Sequence, residues 1–213
     1  MKKRKVAVCL GTMTLVGTLS VGGVWAYFTD RQEAENVLTM GSVKIKLEEP
    51  QYPGNDDDEV HNIYPGQKIP KDPQITNTGQ NPAYVRQEIY IPTGNVKVFR
   101  PESGYTQLTG AELVTYEIQE GWVEQNELKQ KVELDGNTYT RHVYNYHGIL
   151  EPGAKTAPLF QEIQVINLIE GEIPGGTLEQ IPIKAYAVQS QGFAEQDEAW
   201  EAYGIQNPEN GWE

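Results

Sequence analysis

Three histidines, His61, His142 and His147, are the side chains best suited to metal or acid–base chemistry in this chain of 213 residues. Zinc binding by two imidazoles on one helix face needs the spacing His-Glu-x-x-His, which the sequence lacks. His142 and His147 lie five residues apart in a predicted strand, and odd spacing sends side chains to opposite faces. A shared metal would require a bulge between them. The spacing therefore predicts ordinary strand or surface histidines and no catalytic residue.

An acidic run is the segment most similar to a cation-binding loop, and it consists of Asn55, Asp56, Asp57, Asp58 and Glu59. Closely spaced oxygen ligands suit calcium, although the Asp-x-Asp-x-Asp-Gly pattern of dedicated calcium loops is missing. The run follows a Pro-Gly turn signal, so we interpret it first as a solvated loop and second as a weak calcium site. We expect no other cofactor, and no serine lies in the strand-to-helix setting of a nucleophile.

The elements that position these groups begin after an export leader. A basic cluster at residues 2–5 precedes an uncharged run from Val6 to Ala26. A membrane anchor needs about 20 apolar residues, and a secretory signal needs a basic start and a small residue before the cut. The run's glycines, threonines and serine favour cleavage between Ala26 and Tyr27. Residual membrane anchoring by residues 6–26 is the alternative.

Removal of the leader changes the chemistry that remains. The single cysteine, Cys9, lies in the leader, so the mature chain would hold no disulfide or thiolate metal site. The leader also carries four of the 17 basic residues and none of the 30 acidic ones, so its loss moves the net charge from −13 to −17. Such a charge repels nucleic acid and keeps the protein soluble, which excludes a nucleic-acid partner.

The mature chain shows the period-2 alternation of strands, broken by glycine, proline and asparagine. Residues 43–47 and 83–91 alternate most clearly, and Asp135-Gly136-Asn137 predicts a hairpin between two later strands. One short helix is predicted at residues 194–203. Segments of this length joined by turns indicate an all-β antiparallel sandwich. We divide the chain into a signal peptide (1–26, a signal helix), an N-terminal segment (27–42), the sandwich (43–205) and a loose C-terminal tail (206–213).

Several motifs resemble the TasA/camelysin (CalY) family of exported Gram-positive proteins. The leader end, Gly22-Gly23-Val24-Trp25-Ala26-Tyr27-Phe28-Thr29-Asp30, is similar to the family's signature for cleavage by a SipW-type signal peptidase. The segments Pro65-Gly66-Gln67, Asn77-Thr78-Gly79 and Ala83-Tyr84-Val85-Arg86 resemble its Pro-Gly-Asp, Asn-x-Gly and Ala-Tyr-Val-Arg motifs. Late similarities occur at Ala185-Tyr186-Ala187-Val188-Gln189 and Ala199-Trp200.

This resemblance implies a jelly-roll-like sandwich at the cell surface or in the extracellular, biofilm-type matrix. In fibre-forming members the extreme N-terminal segment adds as a strand to the next subunit. Here residues 27–38 would be that donor, with Tyr27 and Phe28 as apolar anchors. The implied partners are a SipW-type peptidase, further copies of the chain, and other matrix or surface proteins.

Three alternatives stay open at the level of sequence. The N-terminal segment pairs either with a neighbour or within its own sheet. Some family members are described as metallopeptidases, so a surface peptidase is the second functional hypothesis. A monomeric adhesin or binding module is the third.

Overall fold

We describe the fold from a computed structural model, which describes residues 29–32, 43–53, 63–172 and 181–212. The elements, in chain order, are β1 (Thr29–Gln32), β2 (Ile45–Glu48), β3 (Lys68–Pro70), β4 (Gln74–Asn77), β5 (Ala83–Arg100), β6 (Gly104–Glu112), β7 (Val114–Tyr116), β8 (Trp122–Glu124), β9 (Gln130–Leu134), β10 (Asn137–Tyr146), β11 (Glu162–Val165), β12 (Leu168–Glu172), β13 (Ile183–Gln189) and α1 (Gln196–Gln206). All strand pairs given for these elements are antiparallel.

The large sheet is organised around β5, the longest strand described. The first half of β5 pairs with β13 on one side and β10 on the other, which gives the order β1-β13-β5-β10-β8. The second half of β5 pairs with β6 and β12, and β9 pairs with β10. β5 therefore passes from the body of the sandwich into a three-stranded arm, whose own small core contains Val96, Val98 and Leu113.

Two smaller sheets, β3-β11-β7 and β2-β4, cover one face of the large sheet. Between the layers, Val85 and Ile89 of β5 pack with Ile45, Ile75 and Ile163 of the smaller sheets in one buried cluster. Inward-facing apolar residues alternate along β5, because successive side chains of a strand point to opposite faces. This core joins the two layers into a sandwich.

The opposite face of the large sheet is covered by α1 and the segment after it. Tyr84 and Tyr186 of the sheet pack with Trp200, Tyr203 and Trp212 in a second buried cluster. The central strand is consequently buried on both faces over its first half.

The C-terminal segment differs from the loose tail expected from the sequence. Turn-like geometry is present, as a 3-10 turn at Pro208–Asn210. However, Asn210 and Trp212 are only 6% and 9% exposed. The segment packs because Trp212 supplies an apolar ring to the second cluster and its indole N–H bonds to a buried carboxylate.

The structure confirms the predicted all-β antiparallel sandwich with one short C-terminal helix. The helix begins two residues later and ends three residues later than the sequence predicts. The signal helix lies outside the described residues. In the part of the chain that is described, no helix is long and apolar enough to span a membrane.

Candidate functional site

The first candidate site is the edge of the large sheet where β1 lies on β13. The register pairs Thr29 with Val188 and Gln32 with Ala185, so the contact is four residues long. β13 in turn pairs with β5 over seven residues, from Ile183 to Gln189. Part of the predicted donor segment thus pairs within its own sheet in the single chain.

The β1–β13 contact has the properties of an exchangeable strand. It is short, and a backbone hydrogen bond contributes a net of about 1 kcal/mol, so four paired residues hold β1 by only a few kcal/mol. Without β1, the backbone of Ala185–Val188 would be an open sheet edge, which is a template for any extended chain. In the structure this edge is covered by β1 of the same chain.

The anchors and the cleavage site predicted for this segment, Ala26, Tyr27 and Phe28, lie outside the described residues. The same holds for the candidate cation loop, Asn55, Asp56, Asp57, Asp58 and Glu59, and for His61. These assignments stay predictions.

The second candidate site is a histidine held between two carboxylates at the rim of the sandwich. His142 of β10 is 4% exposed. Its Nδ1 lies 2.7 Å from Glu124 Oε1, at the end of β8. Its Nε2 lies 3.0 Å from Glu112 Oε1, at the end of β6. Each ring nitrogen of His142 thus faces one carboxylate oxygen, and an ionised carboxylate can only accept a hydrogen bond.

This arrangement suits a structural hydrogen-bonded cluster better than metal binding. The two carboxylates bond to opposite ring nitrogens, so a metal on either nitrogen would meet only one of them. Among the described residues, no group of three or more histidine, cysteine or acidic side chains is arranged to hold a metal ion. The hydrogen bond from His142 holds the pKa of Glu112 below its usual value, with the nearby charges of His142 and Lys129 acting in the same direction.

Two tyrosines adjoin the histidine. The hydroxyl groups of Tyr116 and Tyr144 lie 2.9 Å apart, and the ring centroids of Tyr116 and His142 are 6.1 Å apart. Burial raises the pKa of both phenols well above the ordinary value, with the nearby charges of Glu112 and Glu124 acting in the same direction. Neither phenol is therefore a source of protons or nucleophilic oxygen near neutral pH.

The third candidate site is a buried polar network on the outer face, centred on Glu88. Its Oε2 accepts hydrogen bonds from the hydroxyls of Tyr90 (2.6 Å) and Tyr186 (3.0 Å). Its Oε1 accepts one from Trp212 Nε1 at 2.7 Å, and Arg141 Nη1 lies 3.6 Å from the same oxygen. A fully buried carboxylate is thereby satisfied by three neutral donors and one cation.

The sequence predicts a strand in the N-terminal segment and leaves its partner open, and it gives no sign of either charged cluster. Glu112, Glu124 and His142 are separated by up to 30 residues, and only the strand register brings them together. The one signal for the network was the alternation of Arg86 and Glu88 with apolar residues. Such alternation usually indicates that the polar face of a strand is exposed to solvent, so the sequence did not predict that Arg86 and Glu88 are buried.

These features define a class: an antiparallel β-sandwich protein with a short N-terminal strand at the edge of its large sheet. Residues 1–90 match the family model described as camelysin metallo-endopeptidase. This match bears out the predicted resemblance to the TasA/camelysin family over that part of the chain, which includes β1 to β4 and the first eight residues of β5. It supports a protein of the cell surface or the secreted fraction. No curated protein and no solved structure matches the chain.

Proposed function

We propose that this protein is a non-enzymatic structural component of the extracellular matrix or cell surface that assembles into fibres by strand exchange. In this proposal a SipW-type peptidase removes residues 1–26, and the freed N-terminal segment of one subunit replaces β1 on the β13 edge of the next. A head-to-tail contact of this kind does not close on itself, so it generates a filament.

The observation that carries this proposal is the position of β1 as a four-residue strand at the end of the large sheet. Exchange replaces one set of backbone hydrogen bonds with an equal set, so its cost in free energy is small. Additional contacts by residues that follow or precede β1 then decide between the closed monomer and the fibre.

A reversible crosslink tests this proposal. Asp30 and Ala187 are direct partners in the β1–β13 register, and opposite residues in antiparallel strands lie close enough for a disulfide. The mature chain starting at Tyr27 contains no other cysteine, so Asp30→Cys with Ala187→Cys gives one defined bond. The oxidised variant should stay monomeric in electron microscopy and light scattering, and reduction should restore fibres.

The matched control is Asp30→Cys alone, which should form fibres with or without reductant. Fibres from the fully oxidised double variant would contradict the strand-exchange proposal. Replacement of Tyr27 and Phe28 by Asp should abolish polymerisation and leave the folded monomer intact. Unchanged fibres from that variant would exclude these two residues as anchors.

A surface metallopeptidase is the second candidate function, favoured by the description of the matching family. Metal analysis of the purified mature protein, together with a casein digestion assay with and without added zinc, separates the two proposals. Stoichiometric zinc with proteolysis that a chelator abolishes would establish the peptidase. If a contaminating protease causes the proteolysis, a second purification column should separate that activity from the protein.

A further inference from the structure

A groove of about 480 Å³ lies on the outer face of the large sheet, between α1 and the 3-10 turn at Asn126–Leu128. Arg86, Trp200 and Trp212 form its floor, and Glu127, Asp197 and Glu201 stand at its rim. Its volume falls in the range of small-molecule sites. None of the residues given for its lining belongs to β1 or β13.

Arg86 on the floor has hydrogen-bonding capacity that the described residues do not use. The side chain is 4% exposed, and its Nε donates to the neutral oxygen Asn145 Oδ1 at 2.7 Å. The terminal guanidinium nitrogens make no hydrogen bond to any residue in the described ranges. The guanidinium carbon sits 4.3 Å from the ring centroid of Trp200 and 4.5 Å from that of Trp212, so the indole rings fix its position.

A buried cation without a direct anionic partner is costly, and burial lowers the pKa of Arg86 to about 10. Glu88 is the nearest buried carboxylate in the network, but its oxygens already accept from two tyrosines and Trp212. An anion in the groove would supply the missing partner.

Trp200 also lines the groove, and its ring lies against the guanidinium of Arg86. Its Nε1 is a buried atom with no hydrogen-bond partner among the described residues, so a ligand in the groove does not reach it. The unused donors that the groove offers are therefore the terminal nitrogens of Arg86, which call for an acceptor group.

The rim of the groove carries negative charge, in contrast to the positively charged Arg86 on its floor. Glu127, Asp197 and Glu201 are exposed carboxylates, so they repel a simple anion and attract a cation. A simple cation would in turn meet Arg86 on the floor. We propose that the groove binds a compact zwitterion, with a carboxylate on Arg86 and a positive group against the rim carboxylates. The free basic α-amino acids and the carboxyl termini of peptides that end in lysine or arginine share this chemistry.

Titration calorimetry of the mature protein with L-lysine tests the proposal, with intrinsic tryptophan fluorescence as a second readout. L-lysine should bind saturably in the micromolar to millimolar range. Lysine amide, which lacks the carboxylate, and acetate, which lacks the cation, should each bind at least tenfold more weakly. The dipeptide Ala-Lys separates the two sources: tighter binding than lysine assigns the groove to peptide termini, and weaker binding assigns it to free amino acids.

Variants locate the binding. Asp197→Asn with Glu201→Gln should weaken lysine binding at least tenfold, whereas the exposed pair Glu102→Gln with Glu151→Gln, of equal charge change, should leave it unchanged.

Two results would overturn the proposal. The first is no saturable binding of L-lysine at concentrations up to about 50 mM, well above a Kd of about 1 mM. The second is equal binding of lysine and lysine amide.

Discussion

At the scale of single residues, the protein surrounds two buried charged side chains, Glu88 and Arg141, with hydrogen-bond partners. Glu88 accepts hydrogen bonds from Tyr90 of its own strand, from Tyr186 of β13 and from Trp212 of the C-terminal segment. Arg141, in the same network, donates to the carbonyl groups of Asn210 and Gly211, so the same cluster of charges fastens that segment to the sheet. Removal of one member leaves the others buried and unsatisfied, which costs more than the net value of any single bond.

Glu88→Gln should therefore destabilise the fold by roughly 3–5 kcal/mol, the range for breaking a buried ion pair. The amide keeps the shape of the carboxylate but removes the counter-charge of Arg141 and replaces one acceptor with a donor. Urea denaturation followed by tryptophan fluorescence measures the loss. Glu151→Gln is the exposed control and should change the free energy of unfolding by about 0.5 kcal/mol or less. Equal effects of the two variants would contradict the account of the network.

The paired phenols of Tyr116 and Tyr144 predict a loss of stability in alkali. Burial raises the pKa of each phenol in the folded state above the ordinary value of 10.0. Above that pH the unfolded chain releases these protons and the folded chain retains them, so unfolding becomes favoured as pH rises. The contribution is complete below pH 10 and is lost progressively above it. Urea midpoints between pH 8 and 11 should fall in the native protein.

Tyr116→Phe removes one of the two phenols, so its urea midpoint should fall less steeply over the same pH range. The control is Tyr105→Phe, because Tyr105 is 67% exposed and does not belong to the buried pair. A slope in Tyr116→Phe as steep as in the native protein would assign the alkaline loss to other groups, such as the lysines.

At the scale of elements, the sequence predicts where the strands lie, but it does not predict which segments cover their faces. Alternation and turn signals locate residues 83–91 and the hairpin at Asp135-Gly136-Asn137, because both are local properties of the chain. The same alternation cannot tell that α1 and residues 207–212 cover the polar face of β5. That covering depends on contacts more than 100 residues apart, such as the bond from Trp212 to Glu88.

The C-terminal segment should therefore act as part of the sandwich rather than as a tail. A chain that ends at Gln206 loses Trp212 from the second cluster and the carbonyl groups that bind Arg141. Loss of a buried tryptophan alone costs about 3–5 kcal/mol. The truncated protein should show a lower melting temperature and faster proteolysis at α1. Full stability after truncation would show that the segment contributes no net packing energy.

At the scale of the whole molecule, the predicted sandwich follows from the number and spacing of strands, while its candidate sites follow from register. Glu112, Glu124 and His142 meet only because β8 and β10 are neighbours and β6 ends beside them. No local pattern in a single sequence encodes such a meeting. The net charge, in contrast, is a sum over the chain, and the export leader is a local run of residues, so the sequence predicts both directly.

A net charge of −17 on the mature chain, as predicted from the sequence, makes neighbouring subunits repel one another before any strand is exchanged. The Debye length falls from about 10 Å at 0.1 M salt to about 3 Å at 1 M, so added sodium chloride should shorten the lag before fibres form. Thioflavin fluorescence and electron microscopy of the mature protein measure this lag.

Calcium chloride at matched ionic strength is the control for the acidic run at residues 55–59. An equal lag in both salts indicates diffuse screening, whereas a shorter lag in calcium, lost when Asp56, Asp57 and Asp58 are replaced by Asn, would establish a calcium site there. A lag that lengthens with sodium chloride would contradict charge repulsion as the barrier to assembly, and the slow step would then be the release of β1 from β13.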